Sequence, residues 1–241
     1  VREYRFPCCS DTHGLPPPPL QEEGALAWLH AGDFYNCVLA SSKERASKTL
    51  REKNKLQALM AWLGSRSIPV RCVPGNHDCS DPCGAMPGSS EVGEVAKLAD
   101  GLFLVSLGWH GECYYDLPRE SDIQGLCVKA MNEVVRKTMP GDKFIVLSHW
   151  PASLPSYGSP REGYLSKAMY EFCRELKPLA VIEGHVDGLF GTRESHEGTL
   201  YVVSGPAGGI LTVNLDAPLL SSFEWGPAGV MTDYLEWRGS H

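Results

Sequence analysis

Five short blocks constrain this chain more than its composition does. They are Asp11-Thr12-His13, Gly32-Asp33, Gly75-Asn76-His77-Asp78, Ser148-His149 and Gly184-His185-Val186-Asp187. Most of them follow a short apolar run, as polar residues do when buried strands deliver them to one edge of a sheet. Almost every residue in them is a hard or borderline metal ligand: carboxylate, imidazole or amide oxygen. One block alone describes an ordinary turn. All five in this order describe one metal site assembled from remote positions.

The rest of the chain sets bounds on that reading. Its 241 residues fit one α/β domain or two small ones, and 43% hydrophobic with 21% charged residues is the make-up of a globule with a real core. The formal charge of −7 argues against an electrostatic grip on bulk nucleic acid. Nine cysteines, odd in number and often inside apolar runs, read as reduced thiols in a cytoplasmic protein. Cys79 and Cys83 form the nearest approach to a metal pair, but no second pair completes a zinc cage. No run reaches membrane-spanning length and no signal peptide is visible. Residue 1 is Val, consistent with a removed leader or a trimmed start, and residues 238–241 resemble the beginning of an expression tag. The expected organisation is a single domain over residues 1–237.

Periodicity predicts strands at Tyr4–Cys9, Trp28–His30, Ile68–Val73, Leu102–Leu107, Cys113–Tyr115, Lys143–Leu147 and Leu179–Glu183. Helical spacing predicts helices within Lys43–Leu63, ending near Gly64, over Asp122–Thr138 and over Tyr164–Leu176. Cys79–Ser90 is rich in Pro, Gly and Ser and reads as a loop. Thr199–Ser204 and Gly209–Leu215 predict a hairpin turning at residues 205–209, with further strands at Ser221–Trp225 and Val230–Glu236. Alternating helices and strands followed by a run of strands predict a mixed sheet flanked by helices, or two sheets face to face.

Carboxylate, imidazole and amide oxygen together suit Mn, Fe, Zn or Ni better than Ca. Two ions sharing a carboxylate lie about 3.5–4 Å apart, generate hydroxide at neutral pH and hold charge that builds on a phosphoryl group. Glycine before Asp33, Asn76 and His185 lets the backbone turn sharply and approach the ions. His77 stands apart because Asp78 follows it, and a carboxylate can orient an imidazole and raise its pKa.

The blocks SDTHG (10–14), GDFYN (32–36), GNHD (75–78), SHW (148–150) and GHVD (184–187) resemble those of the calcineurin-like metallophosphoesterase superfamily, whose pattern is DxH, GDx, GNH[DE], H and GHxH. The resemblance spans residues 10 to about 215. It implies an α/β fold, a four-layer α/β/β/α sandwich of two mixed sheets flanked by helices. It also implies a dinuclear centre holding two divalent ions, with Mn favoured and Fe, Zn, Ni or Mg as options. By matching positions, Asp11 and His13 would hold one ion, Asp33 would bridge both, and Asn76, His149 and His185 would hold the second. His77, oriented by Asp78, would act as the catalytic group on the transition state or leaving group, while a metal-bridging hydroxide attacks phosphorus in line. The family's last His is Asp187 here, which either ligates the first ion through an oxygen or leaves it weakly held. Phe34-Tyr35-Asn36 after Asp33 departs from the protein-phosphatase branch, where an acidic residue and Arg follow.

The resulting expectation is a phosphoesterase acting on a small or exposed phosphomonoester or phosphodiester. The alternative is a non-catalytic scaffold of the same fold that binds a protein partner; a nuclease is disfavoured by the acidic charge. Tyr35, His110 and Trp150 are substrate-facing candidates, and Tyr157 is a further stacking aromatic. Arg161 and Arg193 are phosphate-binding candidates, and nearby His196, reaching in from the next loop, is an alternative ligand. His30 reads as a strand residue, and Leu15–Leu20, with four prolines, as a stiff wall beside the site.

Overall fold

In the computed structural model of the protein, residues 2–17, 19–34, 54–55, 57–59, 61–78, 93–109, 117–158, 164–217 and 221–226 are described. The strands are β1 (Glu3–Cys9), β2 (Trp28–His30), β3 (Val70–Cys72), β4 (Glu94–Ala99), β5 (Leu102–Leu107), β6 (Lys143–Ser148), β7 (Ala180–Glu183), β8 (Thr192–His196), β9 (Thr199–Val203), β10 (Gly209–Asn214) and β11 (Ser222–Trp225). The described residues between 54 and 64 are helical (α1), followed by α2 (Glu120–Lys137) and α3 (Lys167–Leu176).

The strands form two mixed sheets, ordered β11-β10-β1-β2-β3 and β4-β5-β6-β7-β9-β8. β1, β2 and β3 run parallel in the first, and β5, β6, β7 and β9 run parallel in the second. Strand alternation explains why they stack. Along β5 and β6, Leu102, Leu104, Ile145 and Leu147 face a core shared with Phe6, Cys8, Leu29 and Leu211 of the other sheet. Their neighbours Val105, Leu107, Phe144 and Val146 face the opposite way, onto Ile123, Cys127, Ala130 and Val134 of α2 and Met169, Phe172 and Cys173 of α3. The second sheet is therefore covered on both faces, and its parallel strands read as nearly continuous apolar runs. Leu59 and Leu63 of α1 pack with Phe34 and Cys72 on the outside of the first sheet. The layers run helix, sheet, sheet, helices.

Local signals place the helix ends. α2 begins where the Asp122 carboxylate accepts from the Arg119 amide, and Thr138 closes it. α3 starts at Lys167 rather than Tyr164, because the Ser166 hydroxyl caps it by accepting from the Met169 amide. α1 runs to Gly64 and turns at Ser65.

One expectation is overturned. Thr199–Val203 and Gly209–Asn214 do not form a hairpin: β9 pairs with β7 and β8, while β10 pairs with β1 and β11. The glycine-rich link carries the chain from one sheet to the other, held where the Ser10 amide donates to the Gly205 carbonyl. Periodicity reports which faces are apolar, not which strand lies alongside. β4 and β8 were not expected. β8, TRESH, is a polar edge strand with a weak signal. The expected strands Cys113–Tyr115 and Val230–Glu236 and the loop Cys79–Ser90 lie outside the described residues. No described helix is long and apolar enough to cross a membrane.

Candidate metal centre

Each block follows a parallel strand: Asp11 and His13 leave β1, Asp33 leaves β2, Asn76 and His77 leave β3, His149 leaves β6 and His185 leaves β7. The carboxyl ends of strands from both sheets thus open onto one cleft.

The backbone there is bent to the purpose. Six described non-glycine residues have positive φ, and four of them are Asp11 (53°), His13 (47°), Asp33 (56°) and His185 (70°). Such conformations cost of order 1–3 kcal/mol each and persist where the surroundings enforce them. The enforcement is visible. The Asp11 and His13 amides donate to the Gly32 and Asp33 carbonyls at 2.8 and 3.0 Å, extending the β1–β2 pairing past the strand ends. The buried Asp78 carboxylate accepts from the amides of Asp33, Phe34 and Gly75 at 2.8–2.9 Å, bolting the third block to the second. A side chain on Gly32 (φ 89°) would land 2.7 Å from His149 Nδ1, and one on Gly75 would land on the Asp33 carboxylate.

Asp33 lies at the middle. Its Oδ1 accepts from the His77 amide at 2.9 Å. Its Oδ2 faces three imidazole Nε2 atoms: His149 at 3.4 Å, His77 at 3.7 Å and His13 at 4.0 Å. Asn76 Oδ1 lies 3.0 Å from His149 Nε2 and 2.9 Å from His185 Nδ1. Asp11 accepts from the His185 amide through both oxygens. Two sets of ligand atoms lie within 4.8 Å of one another: His13, Asp33, His77 and Asp11, Asp33, His149.

These residues fit divalent cations. His149 Nδ1 donates to the Ala31 carbonyl at 2.8 Å, so in the neutral ring Nε2 carries the lone pair and points it at the Asn76 oxygen. Two converging lone pairs call for a cation. Burial, reinforced by the like charge of Asp33, pushes the Asp11 carboxyl up to about 7 against the pull of His149; a cation would reverse that shift. Burial first, then His149 and His77, hold His185 well below the usual imidazole range, in the neutral form that ligates metal.

The remaining candidates divide. Asp187 is exposed, opens the short 3-10 turn Asp187–Leu189 and lies outside both sets of clustered ligand atoms. Trp150 is 2% exposed with its ring 4.0 Å from that of His185, so it packs against that imidazole instead of presenting an open stacking face. His196 meets the Tyr170 hydroxyl at 3.2 Å, on edge strand β8. Arg193 donates to the Phe223 carbonyl. His30 is a buried strand residue stacked on Phe34. Tyr157 lies in the 3-10 turn Pro155–Tyr157. Tyr35, His110 and Arg161 lie outside the described residues, as do Cys79 and Cys83.

Two supporting residues escaped the sequence. Glu183 is fully buried, and its carboxyl accepts from the Ala152 amide at 2.8 Å, tying the loop after His149 to the strand before His185. Lys55 of α1 donates to the His13 carbonyl. The signal for Glu183 was present as an acid at the end of an apolar run, AVIE, directly before the block.

The sequence model of the family described as calcineurin-like phosphoesterase matches residues 5–187. No curated protein matches the chain. Among solved structures, a protein of Thermus thermophilus superposes with a TM-score of 0.60 at 16% identity, over 93% of this chain and 99% of its own. A Staphylococcus aureus protein, provisionally described as a 5'-nucleotidase, gives 0.55 at 16% identity, over 93% of this chain and 53% of its own. At such identities the likeness is one of fold.

Proposed function

This chain belongs to the calcineurin-like phosphoesterase family, and from that premise we propose that it is a metal-dependent hydrolase of phosphomonoesters or phosphodiesters. The observation that carries the reading is the Asp33 carboxylate facing three imidazoles, with Asp11 and Asn76 in the same buried cleft. His13 and Asp11 would serve one ion, Asn76, His149 and His185 a second, and Asp33 both. Bound ions would make water a competent nucleophile near neutral pH and offset charge gathering on the phosphoryl oxygens. The chain's own contribution is placement: left-handed backbone at four ligands, the Asp78 bolt and the Ala31 carbonyl that fixes the His149 tautomer. Mn is the proposed ion, as mixed oxygen and nitrogen donors suit it, with Fe, Zn, Ni and Mg as competitors. The five described cysteines are free and buried, which supports a reducing compartment such as the cytoplasm.

Metal-free protein refilled with Mn should hydrolyse p-nitrophenyl phosphate or its bis-ester. Asp33→Asn and His149→Ala should each lower kcat by about 100-fold or more. Protein carrying two ions per chain with no turnover of either ester would sink the proposal. The exposed position of Asp187 favours one second reading, a scaffold of this fold that binds a protein partner. That reading expects substoichiometric metal as well as no turnover.

A further inference from the structure

We infer that Tyr164 is the aromatic wall of the substrate cleft, and that the phosphoester it receives carries a planar aromatic group, an aryl ring or a nucleobase. The inference rests on the hydrolase reading above and narrows its substrate class. Among the described residues, the His185 imidazole is met by the rings of His149, Trp150 and Tyr164, with centroids 5.1, 4.0 and 5.4 Å away. The last two differ in depth and in tilt. Trp150 is buried and inclined at 58° to the imidazole. Tyr164 is half-buried and lies only 30° from parallel to it, in a stacked arrangement. Trp150 therefore meets His185 inside the core, and Tyr164 meets it at the solvent boundary.

The backbone holds Tyr164 in that place. Two residues on, the Ser166 amide donates to the Pro151 carbonyl and its own carbonyl accepts from the Ser153 amide, both at 2.9 Å. Pro151 and Ser153 belong to the loop that follows His149, so the segment carrying Tyr164 is laced to the cleft. Because α3 starts at Lys167, Tyr164 is not drawn into the buried face formed by Met169, Phe172 and Cys173. The other described aromatics near the site are committed elsewhere. Trp150 is buried, and Tyr157 packs against the helix-side core with its hydroxyl buried. A phenol ring already stacked on an imidazole loses little freedom when a second flat group settles against it, so it favours planar groups over alkyl ones. Contact with His185, one of the proposed metal ligands, places this ring beside the ester group of a bound substrate rather than on a remote surface.

The test titrates Mn-loaded protein by calorimetry with phenylphosphonate and methylphosphonate, which resist hydrolysis, and with the phosphonate analogue of adenosine 5'-monophosphate. Wild type should bind phenylphosphonate about tenfold more tightly than methylphosphonate. Tyr164→Ala should bring that ratio below about twofold, and Tyr164→Phe, which keeps the ring, should preserve it. The ratio is internal to each variant, so partial unfolding or a weakened ion, which scale both affinities, does not move it. Tighter binding of the nucleoside analogue than of phenylphosphonate, lost in Tyr164→Ala, would support a nucleobase as the planar group; the reverse order would support a smaller aryl group. An equal loss of both phosphonates in Tyr164→Ala would overturn the assignment and leave Tyr164 as a prop for His185 alone. Turnover of p-nitrophenyl phosphate with no phosphonate preference in wild type would overturn it and leave the hydrolase reading intact. A preference that Tyr164→Ala abolishes, in protein that turns over no ester, would remove the hydrolase reading and leave the aromatic wall standing.

Discussion

At the residue scale, the site depends on side chains that cannot be exchanged for near neighbours. Gly32 combines positive φ with a contact that leaves no room for a methyl group. Gly32→Ala should cost about 2–4 kcal/mol, from left-handed strain and overpacking together, and should also displace His149. Urea unfolding of metal-free protein measures the first effect, and Mn affinity the second. Glu183 raises a different matter. Burial pushes its carboxyl from 4.5 up to about 8, so the folded protein holds a proton there that the unfolded chain releases. Its contribution to stability therefore falls as pH rises from about 4.5 to about 8. Asp11, raised from 3.8 to about 7, acts in the same direction in metal-free protein. His30, which burial lowers from 6.5 to about 3, acts in the opposite sense, adding stability as pH rises through that interval. Above pH 6.5 that histidine contribution levels off, while the raised carboxyls of Asp11 and Glu183 keep lowering stability. Metal-free protein should lose stability between pH 6.5 and 8, and Glu183→Gln should flatten that limb in denaturant melts taken across the range.

At the scale of the element, Ser166 joins two jobs. Its hydroxyl caps α3, and its amide and carbonyl pair with Pro151 and Ser153 in the loop that follows His149. Ser166→Ala should cost about 1 kcal/mol through the lost cap. Because the backbone pairing survives, Mn affinity should stay nearly unchanged. A large drop in affinity would mean that the cap, not the loop pairing, positions His149. Helical spacing over Asp122–Thr138, with Ile123, Leu126, Cys127, Ala130 and Val134 on one face, anticipated α2, whose buried residues are Ile123, Cys127, Ala130 and Val134, with Leu126 half-buried. It did not place β8, whose polar alternation resembles a loop until a partner strand supplies its hydrogen bonds.

On the scale of the whole molecule, two sheets contribute to one cleft: Asp11, His13, Asp33, Asn76 and His77 follow strands of the first, His149 and His185 strands of the second. Ion binding should therefore hold the sheets together at that end. Mn at 100 times its Kd should stabilise the protein by about 2.7 kcal/mol per site, read as a rise in Tm that chelation reverses. No rise with Mn, Zn or Fe would contradict a metal centre bridging the sheets.

The sequence by itself determined the kinds of candidate ligand, their order, the strand before each block and most of the apolar face of α2. These are local properties, written in residue chemistry and spacing. Only the tertiary structure decided which blocks meet at the Asp33 carboxylate, that Trp150 packs against His185, and that β9 and β10 belong to different sheets. Such facts depend on register and on which strands become neighbours, and strand alternation is the same whichever partner lies alongside.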